Sequence, residues 1–313
     1  RASAKHEATV EKAMAEVLVH ADFRRDDDFF DIGGSSYRAV AFAAKLEQLF
    51  GIEFPLESLF LDGTSVRDLA HKIETFVKQE DEVVLVPLNR SLADSVYYAL
   101  PTFSGGLTDY LPLAATCADS AKLVGLRIKA LQSTAWAKTI TIDDLTDMAA
   151  DMIIAREGRK AINLIGFSAA GMIAFETARK LREKGHEINS LILIDAGAHA
   201  SRKRWPVPMH VFANRLRAFS RRLRGKEYWL QRYHYVGLHL KKQFADWRPA
   251  PIPVKRPVLL VAAHGPLQAR EIDRWRAAFD GTLQVVPISG KHTGLRSPDI
   301  AAEIAQAIFG SNG

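Results

Sequence analysis

The chain has 313 residues, 48% hydrophobic and 25% charged, with a net charge of +6 and a single cysteine, Cys117. That composition suits one large or two unequal globular domains. It excludes an internal disulfide, and no apolar run approaches the roughly 20 residues that span a bilayer.

The opening stretch "RASAKHEATV" carries no apolar core of the kind a secretory leader needs. It also lacks an initiator methionine, so a piece of a longer chain is expected. Lone-cysteine usage fits a reducing, cytoplasmic setting. Charge is uneven: residues 1–80 hold 10 basic and 15 acidic side chains, whereas residues 198–248 hold 13 basic and 2 acidic ones. The excess of positive charge would suit a nucleic acid. No zinc-finger spacing, RNA-binding aromatic motif or basic zipper accompanies it, so no nucleic-acid partner is expected.

Residues 5–78 read as a small helical unit. Val10, Met14, Val17 and Leu18 share one helical face. "SSYRAVAFAAKLEQLFG" predicts a second helix, with Val40, Ala43, Ala44 and Leu46 inward and Gly51 as its stop. "PLESLF" reads as a short helical turn. "TSVRDLAHKIETFV" closes the unit, with Ser65 and Asp68 in capping-box positions. A four-helix bundle over residues 1–80 is therefore expected.

Just before the second helix stands "DDFFDIGGSSYRAV". Its glycines allow a tight backbone approach, and Ser36 opens a helix on a surface loop. A lone Gly-Gly-Ser-Ser would also serve as a plain helix cap at Ser35 or Ser36. Phe29 and Phe30 are expected to anchor the loop to the bundle.

From residue 81 the pattern changes. "QEDEVVLVPLNR" holds a charged joint and a candidate first strand. Six further apolar runs follow: "SVYYAL", "KLVGLRI", "AINLIG", "SLILID", "PVLLVAA" and "LQVVPIS". Helical stretches separate several of them. Leu145, Met148, Ala149, Met152 and Ile153 fit one helix face, and Ile173, Ala174, Thr177 and Leu181 another. The alternation predicts a mainly parallel α/β sheet over residues 81–313. Residues 198–255 interrupt it with arginine-rich helical patterns, an insertion at the sheet's carboxyl edge where a lid belongs.

Ligands of such a sheet bind beyond the carboxyl ends of its strands. "INLIGFSAAG" puts Ser168 at that edge, in a variant of the G-x-S-x-G corner with Ala170 in the last place. Read alone, it is also an ordinary strand-to-helix turn. A nucleophilic serine needs a base, and the base an orienting acid. Asp195 ends one strand and His292 follows the last, in the order Ser, Asp, His. His199 is a rival base, too near Asp195 in sequence to face it from another loop. His264 occupies the place of a rival acid. Ala169 and Phe103, in "LPTFSGG", are the expected oxyanion donors, with no metal required.

Two resemblances follow. "LPTFSGG", "GFSAAG", "LILIDAG" and "GKHTGL" resemble the thioesterase domain that ends nonribosomal peptide synthetases. This implies an α/β-hydrolase fold with a helical lid. "DDFFDIGGSSYRAV" resembles the attachment motif of peptidyl carrier proteins, and Asp28, Phe29, Phe30, Gly33, Gly34 and Ser36 match it. Ser35 and Tyr37 depart from the commoner His and Leu.

The resemblance implies 4′-phosphopantetheine on Ser36, placed there by a phosphopantetheinyl transferase. It also implies upstream condensation and adenylation domains and an acyl or peptidyl thioester substrate, released by hydrolysis or macrocyclisation. The alternatives are an inert α/β interaction domain beside the carrier, a free-standing esterase, or transfer of the chain to another acceptor. The basic lid, with Arg215, Arg217, Arg221, Arg222 and Arg224, is expected to steer the acidic carrier or an acidic substrate rather than to bind a membrane.

Overall fold

The computed structural model describes residues 4–19, 22–52, 54–61, 63–78, 83–102, 105–131, 140–198, 239–244, 247–263, 267, 269–292 and 297–310. They form two compact units, one up to Lys78 and one from Val83 onward.

The first unit holds α1 (Ala4–Leu18), α2 (Ser36–Phe50), one 3₁₀ turn (Leu56–Leu59) and α3 (Val66–Lys78). Val10, Met14, Val17 and Leu18 are buried together with Phe29, Phe42, Ala43, Leu46, Leu69 and Ile73. Val40, expected inward, is only half-buried; Ala39 and Phe42 carry that face instead. Gly51 ends α2 in left-handed conformation, and its N–H bonds the Glu47 carbonyl. The Asp68 N–H bonds the Ser65 hydroxyl at 3.2 Å, so Ser65 starts α3 as the sequence suggests.

The second unit is a seven-stranded sheet in the order β1-β3-β2-β4-β5-β6-β7. Its strands are β1 (Val83–Pro87), β2 (Val96–Ala99), β3 (Lys122–Ile128), β4 (Ile162–Phe167), β5 (Ile188–Ile194), β6 (Arg256–Ala262) and β7 (Gln284–Ile288). Only β1 runs antiparallel, against β3; the other five pairings are parallel.

Helices cover both faces, which is why the strands read as apolar runs and not as alternating patterns. On one face α5 (Ile142–Glu157), α6 (Ala170–Glu183) and α7 (Ala269–Ala278) pack on Leu164, Leu193 and Leu259. On the other, α4 (Leu111–Thr116) and α8 (Pro298–Phe309) pack on Ile165, Ile192 and Leu260. Among the described residues no helix is long and apolar enough to cross a membrane.

Of the insertion expected at about 198–255, residues 199–238 and 245–246 lie outside the described residues, as do Arg215, Arg217, Arg221, Arg222 and Arg224. A short helical stretch at residues 239–243 is tied to the start of α5. There Gln243 donates to the Ile140 carbonyl at 3.0 Å and accepts from the Ile142 N–H at 2.8 Å.

Candidate active site and carrier serine

Ser168 follows β4 with φ 54°, in the left-handed region that residues with a Cβ rarely adopt. Its N–H is caught by the Ile194 carbonyl of β5 at 2.7 Å. Close packing allows the corner to form. A Cβ on Gly166 would stand 2.5 Å from the Ala170 carbonyl oxygen, and one on Gly171 would stand 2.3 Å from the Ala196 Cβ. The two points of closest approach are thus residues 166 and 171. Ala170, in the last place of the motif, is fully buried at this corner. Ala169 caps α6, so its N–H stands at the positive end of that helix.

Asp195 follows β5 in the same manner, with φ 46° and its N–H bonded to the Leu260 carbonyl at 2.7 Å. Its side chain is completely buried. Oδ1 accepts from the Ala262 N–H at 3.1 Å, and Oδ2 meets His292 Nδ1 at 2.5 Å. A buried carboxylate with both oxygens engaged holds Nδ1 protonated and leaves Nε2 as the basic nitrogen. The His292 ring also stacks on Phe167, the residue before Ser168, with centroids 5.3 Å apart and planes 23° from parallel.

The structure thus brings Asp195 and His292 into contact, and Ser168 and Asp195 each stand one residue past the paired Phe167 and Ile194 of neighbouring strands. Phe103, His199 and His264 lie outside the described residues. Sequence reasoning missed three partners. The Ala262 N–H and the Phe167 ring have local signals, a strand end and the corner motif itself. Tyr110, whose hydroxyl accepts from the Phe167 N–H, has none.

In the first unit, Ser35 and not Ser36 caps α2, accepting from the Arg38 N–H at 3.3 Å. The Ser36 side chain is exposed at the first position of the helix. The loop before it is fixed by the Gly34 N–H on the Phe29 carbonyl at 2.8 Å. Phe29 is buried and stacks on Phe42 at 5.0 Å, and Phe30 packs on Phe60 at 5.4 Å. A Cβ on Gly34 would stand 2.3 Å from that Phe29 carbonyl oxygen, and Gly33 has φ 99°, so each glycine has its own reason. Arg38 binds the Gly33 carbonyl at 2.7 Å and sets a cation beside the loop. An exposed hydroxyl at a helix start, with a guanidinium nearby, fits a phosphodiester.

Residues 98–311 match the thioesterase domain family, and residues 8–73 match the phosphopantetheine attachment site. The chain is 27% identical over 192 residues to surfactin synthase subunit 3 of Bacillus subtilis (strain 168), covering 61% of this chain and 14% of that protein. It is 29% identical over 175 residues to the dimodular nonribosomal peptide synthase of the same organism, covering 55% of this chain and 7% of that one. The chain therefore spans only a small part of these relatives. The solved NocB thioesterase domain, in covalent complex with a fluorophosphonate nocardicin G analogue, matches with a TM-score of 0.57 at 20% identity. That match covers 73% of this chain and 98% of that domain, and it shows the α/β-hydrolase fold. With more than half of its length matched by the family model, the chain belongs to the thioesterase domain family.

Proposed function

We propose that the chain is a carrier and terminal thioesterase pair, with the carrier domain at residues 1–80 and the thioesterase at 81–313. It takes an acyl or peptidyl chain from the carrier onto Ser168 and releases it by hydrolysis or ring closure. The observation that carries this reading is the buried Asp195 carboxylate on His292 Nδ1, at 2.5 Å, together with a serine in left-handed conformation.

Ser36 would hold the 4′-phosphopantetheine through its exposed hydroxyl, with Arg38 and the start of α2 facing the phosphate. When attached, the arm supplies a thiol that bears the chain as a thioester. His292 Nε2 accepts the Ser168 proton as the serine oxygen bonds to the thioester carbonyl carbon. The Ala169 N–H and, from the loop after β2, that of Phe103 stabilise the oxyanion. Asp195 stabilises the imidazolium. His292 then gives the proton to the departing sulfur, leaving the chain as an ester on Ser168. Next it deprotonates the water, or the chain's own hydroxyl or amine, that resolves the ester. The partners implied are upstream synthetase domains and a phosphopantetheinyl transferase, in the cytoplasm.

A fluorophosphonate tests the nucleophile. It should label the chain once, at Ser168, and leave Ser168→Ala unlabelled. Ser168→Ala loaded at Ser36 should keep its acyl chain for hours. Release at the wild-type rate would refute the assignment.

A further inference from the structure

Tyr110 ends a 3₁₀ turn (Thr108–Tyr110), is 1% exposed, and touches the chain at the ends of both β2 and β4 through its side-chain oxygen. Its hydroxyl donates to the Leu100 carbonyl at 2.7 Å and accepts from the Phe167 N–H at 2.9 Å. The neighbouring ladder makes the arrangement informative. β2 and β4 pair in parallel up to Ala99 opposite Ile165, where the Leu100 N–H bonds the Ile165 carbonyl at 3.0 Å. In a parallel ladder the next bond would run from the Phe167 N–H to the Leu100 carbonyl. The pairing stops one step short of it, and the hydroxyl stands between those two groups.

We propose that Tyr110 is a positioning residue: its hydroxyl splices the β2–β4 ladder at its last rung and sets the gap between the chain leaving β2 and the Ser168 corner. A direct bond would pull the two strand ends together; the inserted oxygen holds them apart while satisfying both buried backbone groups. Phe167 is the hinge of this arrangement. Its N–H is held by Tyr110, its ring lies on His292, and its carbonyl leads into Ser168. Burial pushes the Tyr110 phenol well above its ordinary value, so the donor proton stays in place at any working pH.

This inference rests on the proposed role of Ser168, and the test separates the two. Tyr110→Phe in the full chain keeps the ring and removes the oxygen. The expected result is fluorophosphonate labelling of Ser168 slowed at least about tenfold. With octanoyl-pantetheine, kcat should fall by a similar factor at KM within about twofold. Leu113→Ala, which loosens the same buried cluster without touching the bridge, should lower the melting temperature and leave labelling nearly unchanged.

Wild-type labelling in Tyr110→Phe overturns the proposal, as does equal slowing in both variants for equal loss of melting temperature. If Tyr110→Phe does not fold, amide exchange of Phe167 in the unaltered chain decides the matter. Protection like that of Leu164 supports the bond, and exchange as fast as an exposed loop amide overturns it. Labelling that persists in Ser168→Ala would instead defeat the nucleophile assignment itself.

Discussion

Four described non-glycine residues have positive φ: Val19, Ser168, Asp195 and Asp280. Two of them are the proposed nucleophile and its distant acid. Each sits one step beyond a strand, with its N–H held at 2.7 Å by the next strand over. A left-handed backbone costs on the order of 1–2 kcal/mol at a residue with a Cβ, and the sheet holds both in that state. The geometry turns each side chain off its strand's path and over the sheet edge. Asp195→Asn tests what the acid does. The Ala262 N–H must then take the amide oxygen, so the NH₂ faces His292 Nδ1 and the imidazole shifts to the wrong tautomer. kcat should fall by about 10³ to 10⁴ with little change in KM. A loss below tenfold would show that the Asp195–His292 contact is structural only.

At the scale of elements, α6 does more than stand behind Ser168. Lys180 is buried and bridges to α5 through Asp143 at 2.5 Å and Asp147 at 2.7 Å; Lys184 reaches Asp151 at 2.7 Å. The Lys180 hydrogen bond holds the Asp147 carboxyl below its usual value. A lowered carboxyl contributes stability above its unfolded value, lost as pH falls through the folded one. Asp147→Asn should therefore lower the melting temperature at pH 7, modestly because Asp147 is partly exposed. The difference should shrink as the pH is lowered from 7 to below the ordinary carboxylate range. An equal difference at both ends of that range would mean the contact acts by shape and not by charge.

The elements themselves were largely legible in the sequence. Seven apolar runs became seven strands, because burial on both faces leaves no other composition for them. The third helical element of the first unit, read from "PLESLF" as a short helical turn, is one 3₁₀ turn that follows Pro55. Strand order and the Tyr110 bridge were not legible. Both depend on which chains lie side by side, and no local pattern marks a tyrosine 57 residues from the amide that donates to it.

At the scale of the molecule, the sequence joins an acidic unit to a basic one. Residues 1–80 have a net charge of −5 within a chain of net charge +6. Each unit presents one serine with its own setting: exposed at a helix start for Ser36, half-buried beyond a strand for Ser168. The division fits the two chemistries proposed, one serine as a lasting anchor and the other as a transient ester to which the acyl chain passes. Mass spectrometry of peptides, taken at short times after loading Ser36 with an acyl-pantetheine, tests this most directly. Acyl mass should be lost from the Ser36 peptide and gained on the Ser168 peptide before product appears, with His292→Ala freezing it on Ser36. Product that forms at full rate in His292→Ala, or acyl mass that leaves Ser36 for a residue other than Ser168, would contradict this transfer.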